Sequence, residues 1–395
     1  MLRTLKSFDI KVQTILIRLD LNVPINNEVI HDDFRIRSCL PTINYCLEGG
    51  AAVVLMSHLG RPKGKYNKDF SLMPIGEHLA SLLEIPIKFS SDCISQDAID
   101  TSLSLKPGEV HLLENLRFHE EESENDSVFA NKLSKHGRIY INDAFGTAHR
   151  SHASNHGVID NFKNYGIGFL FEKEIKYLRE VVNKHERPLV LILGGAKIST
   201  KLELINKYLS QADKIIIGGG MVFTFFKAMG YNIGKSLVET KMIDQARDIL
   251  DAARLNGNKI ILPIDVVCAE NINSTLRDNS ISVRDIPENA MGLDIGSKTI
   301  KKYLSVLDEA KTVLWNGPMG VFENEVFSYG TKAVADKLVE IVDKESVVIA
   351  GGGDTASALR HFKLVDNVSH VSTGGGASLE LMSGKQLDAI NKLEI

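Results

Sequence analysis

Cysteine is scarce: Cys39, Cys46, Cys93 and Cys268 are the only four in 395 residues. They form no C-x-x-C pair and no Cys/His ligand spacing, which argues against a disulfide framework or a structural zinc and suits a reducing cytoplasm. No apolar run approaches the ~18 residues of a membrane span, and the N-terminal MLRTLKSFDIKVQ lacks the apolar core of a signal peptide. A soluble, intracellular protein is therefore expected. Excess charge is also missing: 46 Lys plus Arg face 50 Asp plus Glu, a formal net of −4, so nothing draws nucleic acid or an anionic membrane to the whole surface. Any anion site must be local. Neither G-x-G-x-x-G nor G-x-x-x-x-G-K-[ST] occurs, which removes the dinucleotide fingerprint of an NAD-dependent dehydrogenase and the Walker loop. No obvious Ser-His-Asp or Cys-His arrangement is present either.

What the chain does have is aliphatic surface, 44% hydrophobic positions with only 7% aromatic, enough to bury a core and to exclude disorder. Its length sets a prior of two to three domains at ~150 residues each. Apolar runs such as TILIRLDLN, AAVVLMSHLG, RIYINDAFG, LVLILGG, TVLWNGP and SVVIAGGGD lack alternation, so they read as strands buried on both faces of parallel sheets. Amphipathic stretches at helical spacing lie between them, among them IRSCLPTINYCLEGG and TKAVADKLVEIVDK. Strand and helix alternate almost throughout, giving an α/β class with doubly wound parallel sheets. Residues 169–188, FLFEKEIKYLREVVNKHERP, read as a charged helix ended by Pro188 that either joins two halves or crosses over within one sheet.

Glycine clusters follow the strands of the second half: Gly194-Gly195, Gly218 to Gly220, Gly351 to Gly353 and Gly374 to Gly376. Glycine lets backbone N–H groups approach an anion, and four such clusters in one half point to a nucleotide. Lys197 and Lys201 in GGAKISTK, spaced i,i+4, are read on one helical face toward whatever those glycines bind, with a plain surface pair as the blander reading. Asp354 in GGGDT serves either as a Mg²⁺ holder beside nucleotide phosphates or as a helix N-cap.

The first half supplies cations: Arg35, His58 and Arg61 (SHLGRP), Arg117 (ENLRF) and Arg150 (GTAHRSHAS). All but Arg35 lie just beyond apolar strands, where open α/β sheets bind ligands, although each alone also fits a solvated surface charge. Asp20 and Asn22 in RLDLNVP are read on one side of a strand, placed to accept from a substrate hydroxyl, or else as a turn before Pro24.

Taken together, RLDLNVP, SHLGRP, ENLRF, AFGTAHRSHAS, GGAKISTK, GGGMVFTF, WNGPMGVFE, GGGDTASA and STGGGASLE resemble the phosphoglycerate kinase family, in family order from residue 18 to residue 380. The resemblance implies two Rossmann-like domains flanking a cleft: 1–170 for 3-phosphoglycerate, a linking helix at 171–188, 189–376 for MgATP or MgADP, and 377–395 returning to the first domain. It implies a cytoplasmic, monomeric glycolytic enzyme that moves a phosphoryl group between 1,3-bisphosphoglycerate/ADP and 3-phosphoglycerate/ATP, with closure about a hinge. Carried over by motif, Asp20, Asn22, Arg35, His58, Arg61, Arg117 and Arg150 match the triose positions. Lys197, Lys201, Gly292, Glu323 and Gly351, Gly352, Gly353, Asp354 and Thr355 match the nucleotide site, with Mg²⁺ at Asp354. Gly292 and Glu323 by themselves read as turn and surface residues. Arg35, Lys197, Gly375 and Gly376 are expected at the transferring phosphoryl group. The nucleophile would be a carboxylate already ionised at neutral pH, so no general base is needed.

Overall fold

The apolar runs form strands as read, and each large sheet is wholly parallel. The computed structural model describes residues 1–394 apart from 258, 278 and 279. The chain divides into two compact units, Met1–Lys176 with Lys385–Ile395, and Tyr177–Gly384.

In the first unit the strands are β1 (Thr14–Arg18), a small hairpin of β2 (Ile25–Asn26) and β3 (Val29–Ile30), then β4 (Ala52–Met56), β5 (Ile87–Ser90), β6 (Val110–Leu113), β7 (Ile139–Asn142) and β8 (Tyr165–Ile167). The six-stranded sheet has the order β5-β6-β4-β1-β7-β8. Every residue of β4, β6 and β7 is buried, which is why these runs show no alternation. The helix Phe34–Glu48 turns Ile36, Cys39, Ile43 and Cys46 into a core shared with Ile17, Leu19 and Ile141. The C-terminal segment ties back onto this unit: Ala389 N–H donates to Ala148 C=O (3.0 Å), and Leu2 bridges Glu394.

The second unit contains β9 (Leu189–Leu193), β10 (Lys214–Ile217), β11 (Ile260–Ile261), β12 (Asp265–Ala269), β13 (Ile281–Ser282), β14 (Met291–Ile295), β15 (Thr312–Asn316), β16 (Val347–Ala350) and β17 (His370–Val371). Its large sheet runs β11-β10-β9-β15-β16-β17, the doubly wound order of dinucleotide-binding folds. Winding reverses between β9 and β15 here, and between β1 and β7 in the first unit. In the second unit the loops just beyond β9 and β15 line a cavity at this reversal.

Several local expectations are corrected. Arg18 ends β1, so Asp20 and Asn22 stand in the loop beyond it and not on a strand face. Lys197 lies in irregular loop and Lys201 in the turn that precedes the next helix, which starts only at Leu202. MGLDIG is not a turn but strand β14, part of an antiparallel sheet β13-β12-β14. That strand is half-exposed at Met291 and Gly292, so it lacks the continuous apolar run that marks the others. Within 169–188, an α-helix over Phe169–Ile175 passes into a π-helical stretch, Lys176–Val181, and the unit boundary falls there. The return to the first unit begins at Lys385, not near 377: the helix Gly376–Met382 stays with the second unit, where Lys207 Nζ donates to the Met382 carbonyl. Among the described residues no helix is long and apolar enough to cross a membrane.

Candidate functional site

The first unit gathers its cations at the C-terminal rim of β1, β4 and β6. Asp20, nearly buried, lies 3.3 Å from Arg35 Nη1 and 3.9 Å from His58 Nδ1. Arg35 Nη1 also donates to the Asn22 carbonyl (2.9 Å), while Asn22 Oδ1 accepts from Gly60 N–H (2.9 Å) and Arg117 Nη1 donates to Gly60 C=O (2.6 Å). These bonds knit three loops into one rim. Burial and the surrounding cations Arg150, Arg18 and Arg61 push Arg117 down to about 10. Burial also lowers Arg150, with Arg61, Arg18 and Arg35 adding to it and Asp20 opposing. Guanidiniums close enough for one to depress another share one positive field, which favours an anion.

Sequence reading misses Arg18, although an arginine within TILIRLDLN was a signal. It is fully buried, and its Nε donates to Ser154 Oγ (2.8 Å) and its Nη2 to His58 Nδ1 (3.2 Å). Ser154 passes the charge on: its Oγ and N–H donate to the two oxygens of buried Glu122 (2.6 and 2.9 Å). A buried cation is thus matched to a buried carboxylate through one hydroxyl. Accepting at Nδ1 leaves the His58 proton on Nε2. Burial first, then Arg18 and its neighbours, hold His58 well below its usual range, so it is a neutral hydrogen-bond donor.

In the second unit two cavities share Gly195, Ala196 and Asp354. The smaller, about 350 Å³, is walled by Lys197, Lys201, Gly352 to Thr355, Gly375 and Gly376. Gly352 stands at φ +92° as the residue preceding the helix Gly353–His361, a conformation costly for any side-chain-bearing residue. This glycine, not Asp354, is the N-cap; Asp354 sits in the first turn, exposed. Asn316 braces the loops, accepting from Lys201 Nζ and donating to Gly351 C=O (2.8 Å). Thr355 Oγ1 accepts from Gly317 N–H (2.7 Å), so its hydroxyl shapes the wall. Burial pushes Lys201 down to about 8, against the favourable charge of Asp354. Lys197 is exposed at the mouth.

The larger cavity, about 810 Å³, is lined by Phe223, Leu237, Leu293, Met319, Gly292 and Glu323, among others. Gly292 is required there because a Cβ would run into the Phe223 ring. An apolar slot leading into a glycine-lined, lysine-bearing pocket offers a flat apolar group one end and an anion the other. All the sequence-predicted residues therefore fall into two groups, one in each unit. Phe223, Leu237 and Asn316 were missed because an apolar wall and a loop brace carry no distinctive sequence chemistry.

The family model described as phosphoglycerate kinase matches residues 5–385. The phosphoglycerate kinase of Thermosipho africanus is 47% identical over 388 residues, 98% of this chain and 96% of that protein. That of Chlorobium chlorochromatii is 47% identical over 392 residues, 99% of each chain. Among solved structures, phosphoglycerate kinase from Coxiella burnetii superposes with a TM-score of 0.87 at 37% identity, covering 100% of this chain and 99% of that one. The enzyme from Pyrococcus horikoshii gives 0.88 at 32%, covering 100% and 98%. With fold, motif order and nearly its whole length in agreement, the chain belongs to the phosphoglycerate kinase family.

Proposed function

We propose that the two groups of residues divide the family's reaction between them, the rim of the first unit holding the triose and the cavities of the second holding the nucleotide. The activity is reversible phosphoryl transfer between 1,3-bisphosphoglycerate/ADP and 3-phosphoglycerate/ATP, a step of glycolysis. The observation that carries this division is one crowded cationic rim, in which Arg35 pairs with Asp20 at 3.3 Å, Arg117 donates to Gly60 C=O at 2.6 Å, and the charge of Arg150 helps depress Arg117. Such a cluster suits a small polyanion.

Arg61, Arg117 and Arg150 hold the 3-phosphate, a contact equal in ground and transition states. Asp20 and Asn22 accept from the triose hydroxyl, and neutral His58 donates through Nε2–H. The acceptor carboxylate is ionised at neutral pH without a base, which agrees with a His58 that takes up no proton. Chemistry then reduces to holding two anions in line against their repulsion. Arg35 and Lys197 neutralise the transferring group, and backbone N–H groups at Gly375 and Gly376 add oriented dipoles. Because the ligands bind to separate units, in-line transfer requires the units to bring them together and to exclude water that would hydrolyse an acyl phosphate.

In the second unit Phe223, Leu237 and Gly292 shape the base slot, Glu323 lies at its edge, and Lys201 with the Gly351 to Thr355 loop contacts the phosphates. Asp354 offers an exposed carboxylate oxygen beside that pocket, a donor of the type magnesium takes together with nucleotide phosphates, so the residues present fit Mg²⁺. Bound there, the ion supplies charge neutralisation on the phosphate chain. The four cysteines are buried and form no disulfide, which supports the proposal of an enzyme working in the reducing cytoplasm.

A coupled assay of ATP-dependent 3-phosphoglycerate phosphorylation tests this division. Arg117→Ala is expected mainly to raise KM for 3-phosphoglycerate, whereas Arg35→Ala and Lys197→Ala mainly lower kcat. Unchanged kcat in both latter variants would remove their assigned roles.

A further inference from the structure

Among the described residues one group of three potential metal ligands gathers in space: Asp92, Cys93 and His119, whose donor atoms all lie within 4.8 Å of one another. We propose that these three residues form a binding site for a borderline-soft divalent cation of the zinc class, separate from the nucleotide pocket and with its fourth position open to solvent.

The donor set is chemically selective. A thiolate, an imidazole and one carboxylate oxygen suit zinc and its relatives, whereas magnesium takes oxygen alone. The fit is also geometric. Bond lengths of roughly 2.0–2.3 Å place tetrahedral ligands about 3.3–3.6 Å apart. His119 Nε2 and Asp92 Oδ2 already stand 3.4 Å apart. Only the thiol has to draw in, by an ångström or so.

The surroundings hold the ligands in place. Asp92 Oδ1 accepts from the N–H groups of Ile94 (2.6 Å) and Ser95 (2.9 Å), which leaves Oδ2 to face His119. The Cys93 carbonyl accepts from His136 Nε2 (3.0 Å), pinning the backbone that carries the thiol. Phe129 packs on the His119 ring with centroids 5.3 Å apart. Cys93 is buried, and because a thiol ligates as thiolate, binding releases its proton to solvent. Asp92 and His119 are partly exposed and give the ion a way in.

Both segments lie on the rim where β5 and β6 end, and His119 directly follows the turn Leu116–Phe118 that carries Arg117. No short ligand motif flags the site because its donors are contributed by two separate loops.

Titration of the intact, chelator-treated chain with Co²⁺ tests it. One equivalent should produce sulfur-to-cobalt charge-transfer absorption, release about one proton per ion near neutral pH, and yield to Zn²⁺. The charge-transfer band should vanish in Cys93→Ser. Because that buried change risks the fold, His119→Gln provides a second, partly exposed variant, in which affinity should fall roughly 10–100-fold. Absence of the band in the intact chain, a band that persists in Cys93→Ser, or undiminished affinity in His119→Gln each overturns the site.

Discussion

The proposed contact of Lys201 with nucleotide phosphates makes binding a proton-linked event. Its ammonium is pushed down to about 8 by burial, so near pH 8 half of the ligand-free molecules carry a neutral amine. Nucleotide phosphates in the adjoining pocket stabilise the cation, restoring at least its ordinary value of about 10.5. Binding must then take up roughly half a proton at pH 8 and about 0.9 at pH 9, where the phosphates themselves no longer titrate. The sign follows: affinity is full below pH 8 and falls as pH rises through it. Between pH 7 and pH 9 the ratio (1 + 10)/(1 + 0.1) gives a ~10-fold loss, about 1.4 kcal/mol. Calorimetric MgADP titration in two buffers of different ionisation enthalpy measures the uptake directly. Lys201→Arg, charged throughout, should show none. The same burial implies that keeping this cation in the free chain at neutral pH costs about 3 kcal/mol. Lys201→Met should therefore raise the urea midpoint while weakening MgADP binding. Proton uptake that is absent at pH 8–9, or undiminished in Lys201→Arg, refutes the reasoning.

Three other expectations follow from the packing. His111 and His136 are joined through Ser102 Oγ (2.8 and 2.7 Å), and burial lowers both to about 4. The unfolded chain binds their protons from about pH 6.5, so each contributes stability that is full above that value and lost as pH falls, about 2 kcal/mol between pH 7 and 5. Asp143, raised to about 7 by burial, works in the opposite sense, so the test compares variants: His136→Gln should flatten the loss of urea stability by about 2 kcal/mol, and an unchanged pH dependence would sink this account. Gly292→Ala, which drives a methyl into Phe223, should raise nucleotide KM several-fold with little effect on that for 3-phosphoglycerate; unaltered nucleotide kinetics would exclude the base slot. Arg18→Gln strands the buried Glu122 charge and should cost about 3–5 kcal/mol in urea unfolding, and a near-neutral effect would show that Ser154 does not couple the two.

The parts legible in sequence were those whose chemistry is tied to strand ends. A parallel strand buried on both faces must be an unbroken apolar run, so β4, β7, β9 and β15 announced themselves, and the glycines and arginines just beyond them marked the ligand rim. Where that rule lapses the reading failed. β14 is half-exposed and antiparallel, and it contains Gly292 for clearance, not for turning, so the same residue looked like a turn. Lys197 and Lys201 are four apart, yet the helix that spacing implied begins one residue later, and only the fold shows one lysine exposed and the other sunk against Asn316. Arg18 was invisible for a deeper reason. A charge inside an apolar strand is tolerable only with a distant partner, and Ser154 and Glu122 lie more than a hundred residues away. The candidate binding residues are local in sequence because strand ends place them there, whereas what sets their protonation, burial with Arg18 beside His58 and burial opposed by Asp354 for Lys201, comes from tertiary folding. Motif matching thus nominates the candidate groups, and the pH behaviour of the site has to be read from the fold.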